Sequence, residues 1–172
     1  MRTLLAAAVA VASGWGVNSL PIECAGCDGP PFEQHFSPAE NLEAIDVALI
    51  ANARTSIDMA AYLLTDWTIQ DDLVLAARRG VRMRILIDQG EARHTRPQFV
   101  AAVVDAGGQI RASVRGPLMH LKTYCVDGTT LRFGAANFSY SGLTEQANDL
   151  DITRGPHACD GFMRTFERLW GR

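Results

Sequence analysis

The stretch of residues 120–137 constrains the fold of this chain more than any other part of the sequence. Residues 120–126 alternate as a β-strand with two different faces does, and they end at Asp127-Gly128, a strong signal for a tight hairpin turn. Residues 129–135 supply the return strand. The sequence therefore predicts an antiparallel hairpin at this position.

The register of this hairpin follows from counting outward from a two-residue turn. The predicted pairs are Val126 with Thr129, Lys122 with Phe133, and His120 with Ala135. Asn137 then lies one diagonal step from His120. We expect His120, Lys122 and Asn137 to share one face of the hairpin.

The three side chains on this face suit an attack on phosphorus. An imidazole can form a covalent phosphohistidine, which splits one difficult displacement into two easier steps, provided that an acceptor holds its other ring nitrogen. Lys122 and Asn137 would neutralise and hydrogen-bond the phosphate oxygens. This chemistry requires no metal and no cofactor. The alternative is an ordinary hairpin with an exposed histidine, and the full spacing disfavours it.

The spacing from His120 through Lys122, Asp127 and Gly134-Ala135 to Asn137 resembles the motif of the phospholipase D superfamily. Similarity to that family extends over roughly residues 36–154. The short chain, with one copy of the motif, looks most like the bacterial Nuc-type endonucleases. By resemblance, His120 is the nucleophile, Lys122 and Asn137 bind phosphate, and Asp127 supports the site.

The resemblance implies a metal-independent phosphodiesterase, and most directly a nonspecific endonuclease whose substrate is DNA or RNA. Family members with two motif copies build one active site between them, whereas this chain has one copy. One histidine attacks while another protonates the leaving oxygen. The resemblance therefore implies a homodimer in which His120 of each subunit meets across a two-fold axis.

Two other classes of function remain open. The same chemistry would serve a phospholipase D or phosphatidyl transferase that acts on phospholipid headgroups, with the apolar N-terminus as an anchor. A non-catalytic dimeric binding protein is the second alternative, and Ala135 is the one feature in its favour. Release of a lipid headgroup without cleavage of plasmid DNA would identify the first.

The chain departs from the family pattern at two places. Ala135 stands where the family has serine, and the loss of one neutral hydrogen bond should weaken catalysis by an amount on the order of 1 kcal/mol. The second departure concerns the carboxylate that is expected to hold the imidazole of His120. Its candidates are Asn148, Asp149 and Asp151, of which we predict Asp149; a solvated acid at a strand start is the competing interpretation.

Asp127 also has a simpler interpretation. An aspartate at the first position of an Asp-Gly turn needs no catalytic reason, and strand alternation places it off the face that carries His120 and Lys122. We therefore expect a supporting role for Asp127 within the set of catalytic candidates.

Charge is distributed unevenly along the chain, whose formal net charge is −3. Residues 78–122 carry 9 basic and 3 acidic side chains and lead directly into the catalytic strand. This block favours local attraction of phosphate. Arg93 and Arg96 lie in the loop after Asp88 and are the predicted substrate-binding arginines. The competing interpretation is a set of solvated helix and strand faces.

Strand and helix signals alternate along the rest of the chain and predict one α/β domain, with a mixed β-sheet sandwiched between helices. A capping box at residues 37–40 predicts that a helix begins there and runs to about Ala53. The other predicted helices cover residues 68–79, 97–106 and 162–170, and the other predicted strands cover residues 56–63, 81–88 and 109–114.

The N-terminal residues 1–22 resemble a short secretory signal, residues 23–35 a linker, and residues 36–172 the phospholipase D-like domain. We therefore expect a periplasmic or secreted protein. A zinc site is not expected from the four cysteines. Cys24 and Cys27 are predicted to form a local disulfide or to pair with Cys159, and Cys125 is predicted to be a core thiol.

Overall fold

The computed structural model describes residues 32–114 and 116–172. These residues form seven strands and five α-helices, and the helices cover both faces of one mixed sheet. The predicted fold class is therefore confirmed. The predicted signal segment, together with Cys24 and Cys27, lies outside the described residues.

The strands are β1 (Phe32–Ser37), β2 (Ser56–Ala61), β3 (Arg82–Ile87), β4 (Gln109–Ala112), β5 (Lys122–Val126), β6 (Thr130–Phe133) and β7 (Asn148–Arg154). The helices are α1 (Leu42–Ala51), α2 (Trp67–Arg78), α3 (Pro97–Asp105), α4 (Tyr140–Thr144) and α5 (Asp160–Trp170). A short 3₁₀ helix spans Ala92–His94.

The sheet has the order β1-β7-β6-β5-β2-β3-β4. Strands β2, β3 and β4 run parallel, and every other neighbouring pair is antiparallel. The carboxyl ends of β2, β3 and β4 consequently lie at the same edge of the sheet as the start of β5, the end of β6 and the start of β7. Loops at this edge can bring together residues that are distant in the sequence.

Two packed layers of apolar side chains hold the sheet. The main core lies between one face of the sheet and α1, α2 and α3, and a smaller core lies under α5 on the other face. Strand β5 is buried along its whole length, as expected for a central strand with both faces covered. Helix α2 begins where the Asp66 carboxylate accepts a hydrogen bond from the Ile69 amide at 3.0 Å, a normal N-cap.

Two predicted boundaries near the start of the domain are wrong. Residues 32–35, predicted as linker, belong to β1, which pairs with β7 along its length. The predicted capping box does not begin a helix, because the Glu40 carboxylate accepts hydrogen bonds from the Phe36 amide and from His35. Helix α1 begins later, at an N-cap formed by Asn41, whose side chain accepts a hydrogen bond from the Ala44 amide.

The hairpin of β5 and β6 forms as predicted, but its register differs by one residue. Asp127 and Gly128 have φ values of 55° and 73°, which fits a tight turn with two left-handed residues. Thr129 joins the loop, so that Val126 pairs with Thr130 and Tyr124 with Arg132. The predicted pairing of His120 with Ala135 and of Lys122 with Phe133 is therefore wrong. In the observed register, Lys122, Tyr124 and Arg132 share a face.

A disulfide joins Cys125 of β5 to Cys159, the residue before α5. The prediction of a core thiol at Cys125, and of Cys159 as a partner for the N-terminal cysteines, is therefore wrong. Cys125 alternates with Tyr124 and so faces α5, and its Cα lies 5.9 Å from that of Cys159. Both cysteines are buried. The disulfide ties the C-terminal helix to the strand that begins at Lys122.

Removal of this disulfide should destabilise the domain. We expect the Cys125→Ala/Cys159→Ala variant to lose ~4 kcal/mol of unfolding free energy, because a cross-link between residues 34 positions apart in sequence restricts the unfolded chain. Urea unfolding of the variant, of oxidised wild type and of reduced wild type measures the loss. Reduced wild type keeps the side-chain volume and serves as the control for packing. Equal midpoints for the oxidised and reduced wild type would contradict the prediction.

Candidate active site

The predicted site residues His120, Lys122, Asn137 and Asp149 all lie at one edge of the sheet. Lys122 is the first residue of β5 and pairs with Ala61, the last residue of β2. Asn137 follows the end of β6, and Asp149 is the second residue of β7. Sheet topology alone therefore brings these segments together.

His120 and Lys122 are coupled through the backbone. The His120 side chain is exposed, whereas Lys122 is only 7% exposed. The Lys122 Nζ donates a hydrogen bond to the His120 carbonyl oxygen at 3.0 Å. Burial, together with the nearby Arg132 guanidinium, lowers the pKa of Lys122. The site thus combines an accessible imidazole with a cation held directly beside it.

Tyr62 contacts both of these residues, and sequence reasoning missed it as a site residue. Its ring centroid lies 4.4 Å from that of His120 and 4.9 Å from the Lys122 Nζ. The Tyr62 amide donates to the Leu121 carbonyl at 2.6 Å, and its hydroxyl donates to Glu91 at 3.4 Å. The Glu91 carboxylate raises the pKa of the Tyr62 hydroxyl. The position of Tyr62 directly after β2 was the available signal.

A buried ion pair lies behind the site. Arg132 and Asp46 are both 0% exposed, and the two guanidinium-to-carboxylate hydrogen bonds are each 2.9 Å long. The Arg132 Nη1 also donates to the Lys122 carbonyl at 2.8 Å and to the Ala136 carbonyl at 3.3 Å. Arg132 therefore links the backbone of Lys122 to the backbone just before Asn137. Sequence analysis did not assign a role to either member of this pair.

Asn137 presents a side chain whose polar group is not satisfied by the described residues. Its Oδ1 is buried and has no hydrogen-bond partner among them. Buried polar atoms normally have partners, so an unpaired one indicates a group that serves a ligand or a solvent molecule. An asparagine amide can offer either its oxygen or its NH₂ group. A phosphodiester offers only acceptors, so it can bond only the NH₂ group of Asn137, and the role of Asn137 in binding phosphate stays a prediction.

The path of the backbone that leads to Asn137 depends on close packing between the end of β6 and the start of β7. Gly134 has a φ of 138°, and a Cβ there would lie 2.6 Å from the Asp149 carbonyl oxygen. That oxygen accepts a hydrogen bond from the Ala136 amide at 3.2 Å. The Asp149 carboxylate accepts one from the Ala135 amide, also at 3.2 Å. Glycine at 134 is therefore required by both backbone conformation and space.

Asp149 was predicted to hold the imidazole of His120. In the described residues its carboxylate instead bonds the backbone of Ala135, and the role toward His120 stays a prediction. Asp151, the other acidic candidate, is buried, with Oδ1 unpaired among the described residues. Burial raises the pKa of Asp151, and a hydrogen bond from Gln34 opposes that shift.

Asp127 lies at the opposite edge of the sheet from Lys122. At about 3.3 Å per residue, the five steps along β5 that separate them cover roughly 16 Å. The Asp127 carboxylate accepts hydrogen bonds from the amides of Arg54, Thr55 and Ser56 and from the Thr55 hydroxyl. Asp127 therefore anchors the hairpin to residues 54–56 at the start of β2, and its place among the catalytic candidates stays a prediction.

Asp88 is a second anchoring carboxylate. It lies at the edge of the sheet that carries the candidate residues His120, Lys122, Asn137 and Asp149, which we call the active edge. Its Oδ2 accepts a hydrogen bond from the Met119 amide at 3.2 Å, and its Oδ1 accepts one from the Gly90 amide at 2.8 Å. Asp88 thus fixes the chain one residue before His120 to the end of β3. Sequence analysis identified Asp88 only as the last residue of a predicted strand.

The two predicted binding arginines differ in their surroundings. Arg93 is exposed, and its Nε donates to His94 at 3.0 Å. Arg96 donates a hydrogen bond to the Gln70 side chain at 2.5 Å and forms an ion pair with Asp71. The guanidinium of Arg96 is therefore already bonded to groups within the protein. Its guanidinium also lies 5.1 Å from the ring centroid of Trp67. A role in substrate binding stays a prediction for both.

Other arginines of the cationic block bind within the protein. Arg79 donates to two carbonyl oxygens at the end of α1, and Arg111 donates to the Trp170 carbonyl. Arg82 and Arg84 share the Asp58 carboxylate. The excess of positive charge in residues 78–122 is therefore partly neutralised in the fold.

Two features are absent from the described ranges 32–114 and 116–172. Neither a helix long and apolar enough to cross a membrane nor a cluster of three or more His, Cys, Asp or Glu side chains suited to a metal ion occurs there.

Solved structures with the same fold share the arrangement of sheet and helices. The structure of Nuc from Salmonella typhimurium, a phospholipase D family member, aligns with a TM-score of 0.72 and 28% identity over 83% of this chain and 95% of Nuc. NucT from Helicobacter pylori aligns with a TM-score of 0.69, covering 82% of this chain and 97% of NucT. At 19% identity, the NucT match supports the fold alone.

A family model described as "Cardiolipin synthase, PLD-like domain" matches residues 47–170. The chain therefore belongs to this phospholipase D-like family, and the resemblance inferred from the motif is confirmed. The matched segment contains every candidate residue discussed above, from Tyr62 to Asp149.

Curated relatives carry the name mitochondrial cardiolipin hydrolase. The protein from Chlamydomonas reinhardtii is 25% identical over 145 residues, which cover 84% of this chain and 64% of the relative. The human protein is 28% identical over 123 residues, which cover 72% of this chain and 48% of the relative. The chain thus spans about half of the length of the human protein and slightly less than two thirds of the length of the Chlamydomonas protein.

Asp127 provides a test that separates anchoring from catalysis. We expect Asp127→Ala to lower the free energy of unfolding by about 1–2 kcal/mol, because four donors lose a partly exposed acceptor, and to leave kcat and KM unchanged. Although partial burial opposes the shift, the hydrogen bonds from Ser56, Thr55 and Arg54 lower the pKa of Asp127. The difference in unfolding free energy between wild type and variant should therefore be largest at neutral pH. It should decrease once the pH falls below the unfolded-state pKa of about 4, and it should vanish below the lower folded-state pKa.

Urea unfolding across this pH range, together with steady-state kinetics at neutral pH, measures both effects. Asp105→Ala, which removes an exposed carboxylate at the end of α3, is the matched control. A large fall in kcat with unchanged stability would place Asp127 in catalysis.

Proposed function

We propose that this protein is a metal-independent phosphodiesterase, specifically a nonspecific endonuclease that acts through a phosphohistidine at His120. The observation that carries the proposal is the pairing of an exposed imidazole with the buried Lys122 ammonium, whose Nζ is bonded to the His120 carbonyl. Nucleophile and phosphate-binding cation are thereby fixed relative to each other. Such preorganisation is a major source of rate enhancement.

The first chemical step forms one bond and breaks one. A ring nitrogen of His120 attacks phosphorus, and the bond from phosphorus to the leaving oxygen breaks. Lys122 neutralises the charge on the non-bridging oxygens, and the amide of Asn137 donates a hydrogen bond to them. The leaving oxygen takes a proton from an acid. The product of this step is a phosphohistidine and a free hydroxyl on one fragment.

The second step returns the enzyme to its starting state. Water attacks the phosphorus of the phosphohistidine, and the phosphorus–nitrogen bond breaks. The group that supplied the proton in the first step now accepts one from the attacking water. The second fragment leaves with a terminal phosphate, and His120 is regenerated.

The acid and base in this scheme is a second histidine, and we propose that it is the partner's His120 in a homodimer. The chain carries one copy of the motif, so the site of a single subunit supplies only one histidine of this kind. A two-fold axis close to His120 would give each subunit both the nucleophile and the acid. The exposure of the His120 side chain is compatible with contact across such an axis.

Nucleic acid is the proposed substrate because the match to Nuc combines 28% identity with 95% coverage of that chain. The sequence resemblance had pointed to the same endonuclease branch. Arg93, exposed in the short helix beyond Glu91, would add a cation at the rim of the site. Positive charge near the reacting phosphate favours a polyanionic substrate.

A lipid phosphodiesterase or phosphatidyl transferase is the alternative function. The curated relatives named mitochondrial cardiolipin hydrolase support it at 25–28% identity. Leu118, two residues before His120, is 64% exposed, and an exposed apolar side chain beside a phosphate site suits a substrate with an acyl chain. Release of headgroups from phospholipid vesicles, without cleavage of DNA or RNA, would select this function.

Export to the periplasm or the extracellular medium is part of the proposal. The apolar residues at the N-terminus resemble a secretory signal, and the disulfide between Cys125 and Cys159 is of a kind that persists in oxidising compartments.

Cleavage should be independent of divalent metal ions. We expect plasmid DNA to be cut at the same rate in excess EDTA and in Mg²⁺, because His120, Lys122 and Asn137 supply the nucleophile and the charge. Phospholipid vesicles and RNA tested in parallel identify the substrate class. Complete loss of cleavage in EDTA that Mg²⁺ restores would overturn the phosphohistidine mechanism.

Substitution of the nucleophile should abolish turnover and leave assembly intact. We expect His120→Ala and His120→Asn to sediment as folded dimers and to show no cleavage above background. Wild-type protein quenched in alkali during turnover should carry the second nucleic-acid fragment on His120 through an acid-labile phosphorus–nitrogen bond, detectable by mass spectrometry. His157→Ala, which removes an exposed histidine in the turn before α5, is the control. Near-normal activity of a His120 variant, or sedimentation of active wild type as a monomer, would contradict the scheme.

A further inference from the structure

Two large aromatic side chains at the active edge are exposed without a structural reason in the fold. Trp67, the first residue of α2, is 67% exposed, and Tyr140, the first residue of α4, is 61% exposed. Tryptophan is usually well buried in proteins, because its ring contributes most when it is removed from water. The other described tryptophan, Trp170, follows this rule at 8% exposure.

Both aromatic residues follow the backbone contact that holds Asn137 in place. Phe138, the residue after Asn137, forms a β-bridge with Leu64. The Phe138 carbonyl accepts hydrogen bonds from the Thr65 amide at 2.8 Å and from the Asp66 amide at 3.0 Å. Trp67 comes directly after this contact on one segment, and Tyr140 comes two residues after it on the other. Trp67 and Tyr140 therefore lie next in sequence to the backbone contact at Phe138, which adjoins the phosphate-binding candidate Asn137.

Trp67 is held from one side by a cation. The Arg96 guanidinium lies 5.1 Å from its ring centroid and donates a hydrogen bond to the Trp67 carbonyl at 3.3 Å. Arg96 is itself fixed by the Gln70 side chain and by Asp71. The ring is thereby oriented while most of its surface remains in contact with solvent. An oriented and exposed aromatic ring is ready to stack on a planar ligand.

We propose that Trp67 and Tyr140 form a stacking platform for the bases of single-stranded nucleic acid, next to the phosphate site. The inference rests on the proposed nuclease function and names its substrate class. Bases that stack on aromatic rings must be unpaired and accessible, so the platform selects single strands or locally opened duplexes. Every base has a π-face, and the platform therefore binds without regard to sequence.

The surroundings of Trp67 favour a nucleobase over a lipid surface. A membrane-bound tryptophan normally has apolar neighbours that enter the bilayer and basic neighbours that meet its headgroups. The residues around Trp67 include the acidic Asp66 and Asp71, and its adjacent cation, Arg96, is already paired with Asp71. A neutral base that stacks on the ring needs neither an apolar patch nor a free positive charge.

The platform can be tested by binding to the inactive His120→Ala protein, which separates binding from cleavage. Fluorescence anisotropy gives the Kd for a labelled 20-nucleotide oligothymidine and for a base-free phosphodiester polymer of equal length and charge. We expect the further substitution Trp67→Ala to weaken binding of oligothymidine about tenfold, and Tyr140→Ala somewhat less, because each removes a stacked base. Binding of the base-free polymer should not change.

Leu75→Ala is the matched control, since it removes a 50% exposed apolar side chain from the same helix at its far end. Trp67→Phe should restore most of the affinity for oligothymidine. In the His120→Ala protein, oligothymidine should quench tryptophan fluorescence, and Trp67→Phe should abolish that quenching, a readout that does not depend on the folding of the alanine variant.

Equal losses for oligothymidine and the base-free polymer, or no loss for either, would overturn the platform. So would a Trp67→Ala variant that loses binding to phosphatidylglycerol vesicles and keeps its affinity for oligothymidine. If wild type fails to cleave nucleic acid while base-dependent binding persists, the nuclease proposal fails and the platform stands. If wild type cleaves DNA and the Trp67 variants bind oligothymidine normally, the platform fails and the nuclease proposal stands.

Discussion

The buried pair of Arg132 and Asp46 is the interaction on which the arrangement of the active edge depends. Taking both charges out of water costs several kcal/mol per ion, and their mutual attraction offsets that cost only with good geometry and further hydrogen bonds. Those further bonds come from Tyr124, which donates to Asp46, and from the carbonyls of Lys122 and Ala136, which accept from Arg132. The guanidinium therefore sets the distance between the backbone of Lys122 and the backbone segment that leads into Asn137.

Local sequence signals predicted most of the fold. Helical periodicity and capping placed α2, α3 and α5 within two residues of their observed bounds, and the Asp-Gly turn placed the β5–β6 hairpin. Elements whose signals are not local were missed. Strand β1 has no strong alternation of its own and exists because β7 pairs with it along its length. The one-residue error in register has the same origin, since the inclusion of Thr129 in the loop depends on the whole ladder.

The candidate site was predicted from one segment. His120, Lys122 and Asn137 lie within eighteen residues, and the β5–β6 hairpin places all three at one edge of the sheet, in a register that differs by one residue from the predicted one. The roles of Tyr62 and of the Arg132–Asp46 pair were not predicted, because the residues that they contact are far away in sequence. The disulfide escaped for the same reason, since spacing does not reveal that Cys125 faces the start of α5. Contacts of this kind require the sheet topology, which a single sequence specifies only indirectly.

The anchoring of Asp127 gives a meaning to the spacing between lysine and aspartate in the motif. Lys122 lies at one edge of the sheet and Asp127 just past the other, where it meets the amides that precede β2. The residues between them form strand β5. The number of residues between the lysine and the aspartate therefore corresponds to the length of this strand, and the catalytic chemistry does not determine it. Deleting one residue from β5 would prevent Lys122 and Asp127 from reaching their two positions at the same time, and would turn the side chains on one side of the deletion to the wrong face.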